Sequence, residues 1–363
     1  MTRARDLAFI RKMCSLGLPA QTLVHSLLPA VRQLVPAHSA GVFWVDADGE
    51  MSHLYAERLL PPDAMSRYHE VHYQKSRQGF RNAFLARASS ADPVSFHSFT
   101  AEEQSDAYFR DVLHPLDAYH VLYGMLRNGS NCFAQVSLYR GKDDRPFDAG
   151  PAQTLRELLR YVEAGLGRMS WSPTSDKDAV MVEEHLGIVD KQGGISSGSN
   201  SWRRLLRLAA LPRVSPRNAP DEQRAIELFL EDLCARANRP HGGREVDAYG
   251  VQRETPWGRF VLRCFCLEDY RGRRADHVGL LIRRDEPRSL ALVRGAARAG
   301  LTPQQSEVAL LLAGGMSNRE ISEAMGLTLN TASYHVKEVY SRLHVNDRGN
   351  ILPALLEKSR LDG

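Results

Sequence analysis

Apolar residues along the chain switch between helical and strand spacing, and the switches divide it into three blocks. Leu23, Leu27, Val31 and Leu34 recur at helical spacing through QTLVHSLLPAVRQLV, where Pro29 is expected to kink or divide the helix. SAGVFWVDADGEMSHLYAE then reads as a hairpin: an apolar, β-rich run, the turn DADG and a second short strand. NCFAQVSLYR is a further strand and GKDDRPFDAG a turn-rich break. PAQTLRELLRYVEAGLGRM closes the block as an amphipathic helix bearing Leu155, Leu158, Leu159, Val162 and Leu166, with Asp148 placed to cap its start.

The polar, proline-containing SWSPTSDKDA reads as a linker. The second block begins with LGIVDKQGGISSGSNSWRRLL, a strand, a Gly-Gly turn, a short strand and a helix start. DEQRAIELFLEDLCARAN is a helix with Asp221 as its expected cap. REVDAYGVQRETPWGRFVLRCFCLED holds two strands joined at TPWG, and RADHVGLLIRRDE supplies another. RRDEPRSLALVRGAARAG follows, with Arg283, Arg284, Arg288, Arg294 and Arg298 against Asp285 and Glu286. That run reads either as a solvated charge run or as a set of phosphate contacts.

The third block is helical throughout. In GLTPQQSEVALLLAGG, Thr302 and Gln305 form a capping box around Pro303 at the first helical position. Val308, Leu311 and Leu312 supply an apolar face, and Gly314 and Gly315 end the helix. Ser317 and Glu320 form a second box, Ile321, Ala324 and Met325 are expected to face inward, and Gly326 stops that helix. In TASYHVKEVYSRL, Ala332, Val336, Val339 and Leu343 fall on one stripe. Asn330, Ser333, Tyr334, Lys337 and Ser341 fall on the opposite side. Two helices joined tightly, the second amphipathic in this way, describe a helix-turn-helix, whose second helix enters the major groove.

LTPQQSEVALLLAGGMSNREISEAMGLTLNTASYHVKEVYSRLHV is similar, nearly position by position, to the LuxR-type helix-turn-helix, over residues 301–348. The resemblance implies a four-helix unit binding double-stranded DNA, as a homodimer on a two-fold related promoter site. It implies that Ser333, Tyr334, Lys337 and Asn330 face base edges and that Asn318, Arg319, Thr331 and Ser341 lie near phosphates. Glu307 would pair or cap inside the domain, and His335, at the edge of the buried stripe, would be a packing or phosphate-side residue. The helix around NILPALLEK would present Leu352 and Leu356 to a partner copy, starting near Asn350 because of Pro353. Two positions depart from the family: Ala332 is more often valine and Ser333 more often lysine. The lysine missing at Ser333 removes a phosphate or base contact, so affinity or sequence preference is expected to differ from the family norm.

The first block resembles a GAF domain in its order of helix, hairpin, irregular middle, strand, RPF turn and closing helix. RYHEVHYQKSRQGFRNAFLARASSADPVSFHSFTAEEQ stands where that fold lines a ligand cavity. The second block looks like a PAS domain, although LPRVSPRNAPDEQ replaces the usual helical middle. The expected fold is therefore multidomain. A GAF-like α+β sensory domain (1–170), a linker (171–177) and a PAS-like α+β domain (178–286) come first, both with antiparallel sheets. A linker (287–297) and an all-α, four-helix LuxR-type domain (298–363) complete it.

Composition narrows the functions. The 363 residues suit two or three domains, and a net charge of +4 permits an anionic partner without demanding one. Residues 298–363 carry seven Lys/Arg and seven Asp/Glu, so DNA binding has to rely on local charge placement, helix N-termini and the arginine-rich segment leading in. No apolar run is long enough to span a bilayer, and the chain is expected to be a cytoplasmic, bacterial protein without a membrane partner. Cys14, Cys132, Cys234, Cys264 and Cys266 are scattered. Cys264 and Cys266 would share a strand face, a metal or redox pair against the commoner reading as buried thiols.

The reading is a DNA-binding transcriptional regulator controlled by a signal sensed in the N-terminal domains. No catalytic or metal residues and no cofactor are identified, and the chain is expected not to be an enzyme. A small-molecule effector in the GAF-like or PAS-like domain is left open, and RNA polymerase joins the partners if the protein activates. Receiver and acylated homoserine lactone patterns are not found. The rival reading is a signalling or ligand-binding protein whose C-terminal helices bind a protein partner.

Overall fold

Every strand in this computed structural model pairs antiparallel, in two five-stranded sheets of identical strand order. The structure describes residues 3–60, 64, 67–167, 179–211, 219–237, 248–268, 271 and 273–360. The expected linker 171–177 lies outside them.

The first domain runs α1 (Arg3–Cys14), α2 (Ala20–Leu34), β1 (Ser39–Val45), β2 (Met51–Ala56), α3 (Tyr73–Ala88), β3 (Val94–Ser98), β4 (His120–Asn128), β5 (Asn131–Arg140) and α4 (Ala149–Leu166). Its sheet order is β2-β1-β5-β4-β3. The hairpin turn closes because the Asp46 carboxylate accepts from the backbone N–H groups of Asp48 and Glu50, at 3.1 and 3.0 Å. Pro29 lies inside one continuous helix and does not divide it. Leu23, Leu27, Leu28 and Val31 are buried on both sides of it, and that burial outweighs one missing backbone bond. Asp148 caps α4 as expected, accepting from Gly150 N at 3.0 Å. Alternation along β4 and β5 sends Leu122, Leu126, Ala134, Val136 and Leu138 into the same core as Leu155, Leu158, Leu159 and Val162. Val121, Tyr123, Gln135, Ser137 and Tyr139 point to the other face.

The second domain runs β6 (Ala179–Asp190), β7 (Ile195–Gly198), α5 (Asn200–Ala210), α6 (Ala219–Ala237), β8 (Ala248–Thr255), β9 (Gly258–Glu268) and β10 (Arg274–Pro287). The order β7-β6-β10-β9-β8 repeats that of the first sheet. Ser199 caps α5, accepting from Trp202 N at 3.1 Å. Asp221 is not the cap of α6. The helix begins two residues earlier and takes Pro220 into its first turn, where a missing N–H costs nothing. Cys264 is buried and Cys266 half-buried on β9, and burial above all pushes the Cys264 thiol up to about 12. No group of three or more metal-ligating side chains occurs among the described residues.

Residues 288–298, expected to lie mostly in a linker, form a helix, α7 (Arg288–Arg298). Its Leu290 and Val293 enter the core shared by the two sheet domains, while Ala296 enters a separate C-terminal core. That core is built by α8 (Pro303–Ala313), α9 (Asn318–Met325), α10 (Leu329–Leu343) and α11 (Ile351–Ser359). α7 crosses α11 at Gly295, where a Cβ would stand 2.0 Å from the Leu355 carbonyl oxygen. No helix among the described residues is long and apolar enough to cross a membrane.

Candidate nucleic-acid interface and cavity

Local side-chain bonds set the ends of α8, α9 and α10. Thr302 and Gln305 satisfy each other's backbone N–H groups, as do Ser317 and Glu320. Gly326 ends α9 at φ 63°, the left-handed conformation that glycine adopts without penalty. Thr328 then caps α10, accepting from Thr331 N at 3.2 Å. Leu327 N donates to the Ser322 carbonyl at 2.9 Å and tightens the turn between the two helices.

Ala332, Val336, Val339 and Leu343 are all buried and pack with Val308, Leu312, Ile321, Ile351 and Leu355. That anchorage turns the opposite side of α10 to solvent. Asn330, Thr331, Lys337 and Ser341 are exposed, and Tyr334 is 60% exposed, a high value for an aromatic ring. Ser333 is half-buried, and its Oγ accepts from Asn318 Nδ2 at 3.4 Å. Arg319 is exposed and paired with Glu323 at 3.2 Å, one helical turn on. A solvent-exposed pair of this kind is weak enough to exchange for another anion. His335 is half-buried with no partner for Nδ1 among the described residues, in keeping with a packing position.

Arg348 has a structural role that no sequence motif announces. Its Nη2 donates to Asn318 Oδ1 at 3.0 Å and its Nη1 to the Met316 carbonyl, so it holds the start of α9 against the short turn that follows α10. Its partners are 30 and 32 residues away, with no local signal to connect them.

Several expectations change. Ala324 is exposed, because the buried stripe of α9 runs through Ile321, Ser322 and Met325 and Ala324 lies to one side of it. Glu307 pairs with Lys12 of α1 at 2.8 Å, and not inside its own domain. Leu352 and Leu356 are half-buried, while Ile351 and Leu355 of the same helix are buried within the chain.

Within the arginine-rich segment, Arg284 and Arg294 are buried and Arg283 is paired, so these three are not a solvated run, whereas Arg298 is exposed. Arg284 is 0% exposed, its Nε 2.6 Å from Glu183 Oε1. Arg294 is buried and joins all three domains. Nη1 donates to Ser26 Oγ at 2.6 Å, Nη2 lies 2.5 Å from Glu286 Oε1, and Nε donates to the Ser359 carbonyl at 2.6 Å. Arg283 is paired with Asp285 at 2.6 Å. Partners remote in sequence, Glu183 for Arg284 and Ser26 for Arg294, draw two of these charges inward. Burying them unpaired would cost several kcal/mol each.

A second feature lies on the outer face of the first sheet. A cavity of about 720 Å³ separates that face from α3 and the segment 99–116. The segment expected to line a cavity does so, through Tyr68, His72, Phe80, Ala83, Arg87 and Phe99 among others. Its floor is Tyr123, Gln135, Ser137 and Tyr139, which sequence alone did not single out. The volume is in the range of drug-sized ligand sites.

Residues 299–352 match the family described as bacterial regulatory proteins, luxR family. The response regulator protein VraR of Staphylococcus aureus is 44% identical over 48 residues, 13% of this chain and 23% of that protein. VraR of Staphylococcus epidermidis gives the same figures. The chain therefore spans about a quarter of the length of the curated relatives it matches, all within the helical block. Among solved structures, the GAF domain of the cyanobacteriochrome TePixJ aligns with 43% of this chain and 94% of that chain, at 14% identity and a TM-score of 0.33. Vibrio cholerae VqmA, a LuxR-type receptor, aligns with 48% and 83%, at 15% identity and a TM-score of 0.19. The C-terminal block is a luxR-family helix-turn-helix domain, and two α+β domains with antiparallel sheets precede it.

Proposed function

We propose that the protein is a transcriptional regulator that inserts α10 into the DNA major groove under the control of a small molecule bound in the first domain. The observation that carries this is the division of α10. Its apolar stripe is buried in its own four-helix core, while Asn330, Tyr334, Lys337 and Ser341, uncharged or basic, are exposed on the other side. An α-helix fits the major groove, and hydrogen-bonding, methyl-packing and cationic groups are what its exposed side needs there. In this reading Asn330, Ser333, Tyr334 and Lys337 face base edges, with the Tyr334 ring on a thymine methyl. Asn318, Arg319, Thr331 and Ser341 approach phosphates. A homodimer on a two-fold related site uses the half-buried Leu352 and Leu356.

The domain is charge-neutral, and Arg284 and Arg294 are occupied internally, so few cations are left for phosphates. Affinity then depends strongly on each one. Selection of bound sequences from fragmented genomic DNA should return a two-fold related motif. Lys337→Ala should lower affinity and reduce the slope of log affinity against log salt by about 1. Tyr334→Ala should change the preferred bases. A wild-type protein without salt-dependent DNA binding, with or without effector, overturns the reading in favour of a protein-binding C-terminal domain.

A further inference from the structure

Among the described cations on the cavity wall that lack a carboxylate partner, Arg58 and Lys75 are exposed and Arg87 is drawn part-way inside. Arg87, in the last turn of α3, is half-buried, and its guanidinium lies over the Tyr123 ring with Cζ 4.1 Å from the ring centre. Nε donates to Gln135 Oε1 at 3.0 Å, and Gln135 Nε2 donates onward to Ser137 Oγ at 3.0 Å. Gln135 is only 2% exposed, so this chain fixes the guanidinium from below.

The carboxylates on the cavity wall are spoken for elsewhere. Glu50 pairs with Arg77 at 2.6 Å, and Asp106 accepts from Tyr108 N at 2.8 Å. Arg207, another cation on the wall, has Glu222 at 2.8 Å. Arg87 has no carboxylate partner among the described residues, and burial lowers its pKa with only the phenols of Tyr123 and Tyr139 opposing. Those phenols are themselves pushed up by burial and stay protonated, able to donate. A desolvated cation without a counter-ion is costly, and an incoming anion removes that cost.

Phe43, Leu54, Phe80, Phe99, Val112 and Val121 give the wall a large apolar part, beside polar groups such as His72 and Ser76. With Nε engaged by Gln135, the two Nη groups are left to grip a planar, two-oxygen anion end-on, the geometry a carboxylate supplies. A single guanidinium suits a single negative charge.

We propose that the cavity of the first domain binds an apolar monocarboxylic acid, with its carboxylate on Arg87 and its aromatic or aliphatic body among Phe43, Phe80 and Phe99. The proposal rests on the cavity being the input site of the regulator. The test uses the full-length chain without DNA, by thermal shift and calorimetry, with phenylacetate, 4-phenylbutyrate and octanoate each set against its neutral amide. At least one acid should raise the melting temperature and bind tenfold or more tightly than its amide. Arg87→Gln should abolish that preference while leaving amide binding and the ligand-free melting temperature in place, and Arg87→Lys should restore part of it. The assignment is overturned if no acid outperforms its amide on the wild type, or if Arg87→Gln binds acid and amide as the wild type does. DNA affinity is then measured with the best acid. Acid binding on Arg87 that leaves DNA affinity unchanged upholds the ligand class and overturns the input role.

Discussion

The two sheet domains share a strand order and differ in what fills the space over one face. In both, the chain between the second and third strands of the sheet supplies helices over that face. In the first domain α3 stands off the sheet and encloses about 720 Å³. In the second, α5 drives Trp202 onto the strands. Its ring is fully buried against Gly187 and Gly198, and its Nε1 donates to the Leu280 carbonyl at 2.9 Å. Trp257 is likewise fully buried, its Nε1 donating to the Leu211 carbonyl at 3.2 Å. Strand order therefore does not decide which domain is hollow. The volume of a few side chains decides which domain keeps a cavity. The second domain passes its last strand directly into α7 and the buried Arg294 junction with the C-terminal helical block.

The largest expected effect comes from making the second domain hollow. Trp202→Ala should cost about 3–5 kcal/mol of stability, read from the urea midpoint, because a rigid site cannot collapse into the space left. A cost under about 1 kcal/mol would mean that the two domains are alike in packing. Next comes crowding of the same place. A Cβ on Gly187 would lie 2.2 Å from Trp202 Cε2. Gly187→Ala should therefore lose about 1–3 kcal/mol by overpacking. Gly124→Ala in the first sheet meets the Leu159 Cδ2 methyl at 2.9 Å, the end of a flexible chain, and should lose less.

How far these features could be read from sequence follows the distance between partners. The capping boxes at Thr302 and Ser317 bond three residues away, so they were visible, as were β5 and the burial stripe of α10. Arg284 reaches Glu183 across 101 residues and Arg294 reaches Ser26 across 268. In sequence such arginines look like any solvated run. The segment over the cavity could be located from its place between strands. Arg87 could not, because what defines it is Gln135, 48 residues on, and the absence of an acid among the described residues around it. Asp221 shows the opposite error, a good local cap overruled by a helix that extends past it.

The seam between hollow and filled domains should respond to pH. His25 of α2 is 4% exposed, its ring centre 4.7 Å from that of Tyr55 and 6.3 Å from that of Trp257. Neither ring nitrogen has a hydrogen-bond partner among the described residues. Burial, followed by Arg284, Arg204 and Arg294 against the opposing Glu183, holds its pKa well below 6.5. Below pH 6.5 the unfolded chain takes up a proton at this position and the folded chain does not, so stability falls as pH falls. The slope should be about 1.4 kcal/mol per pH unit, continuing down to the folded pKa. His25→Phe should flatten the stability curve below pH 6.5, measured by urea unfolding at each pH. An unchanged slope in that variant would place the titrating group elsewhere.

The smallest effect on stability is expected where the comparison is most direct. Ala83 of α3 lines the cavity, so Ala83→Leu places three further carbons in empty space. Leucine is a good helix former, and the added apolar contact should leave stability within about 1 kcal/mol of wild type, on the favourable side if anything. A single added methyl at Gly187 has no such room. With the space over the first sheet open, Ala83→Leu should weaken carboxylate binding tenfold or more while the unfolding midpoint stays put. A loss of about 2 kcal/mol or more would instead show a packed site at Ala83, and the first domain would then be as full as the second.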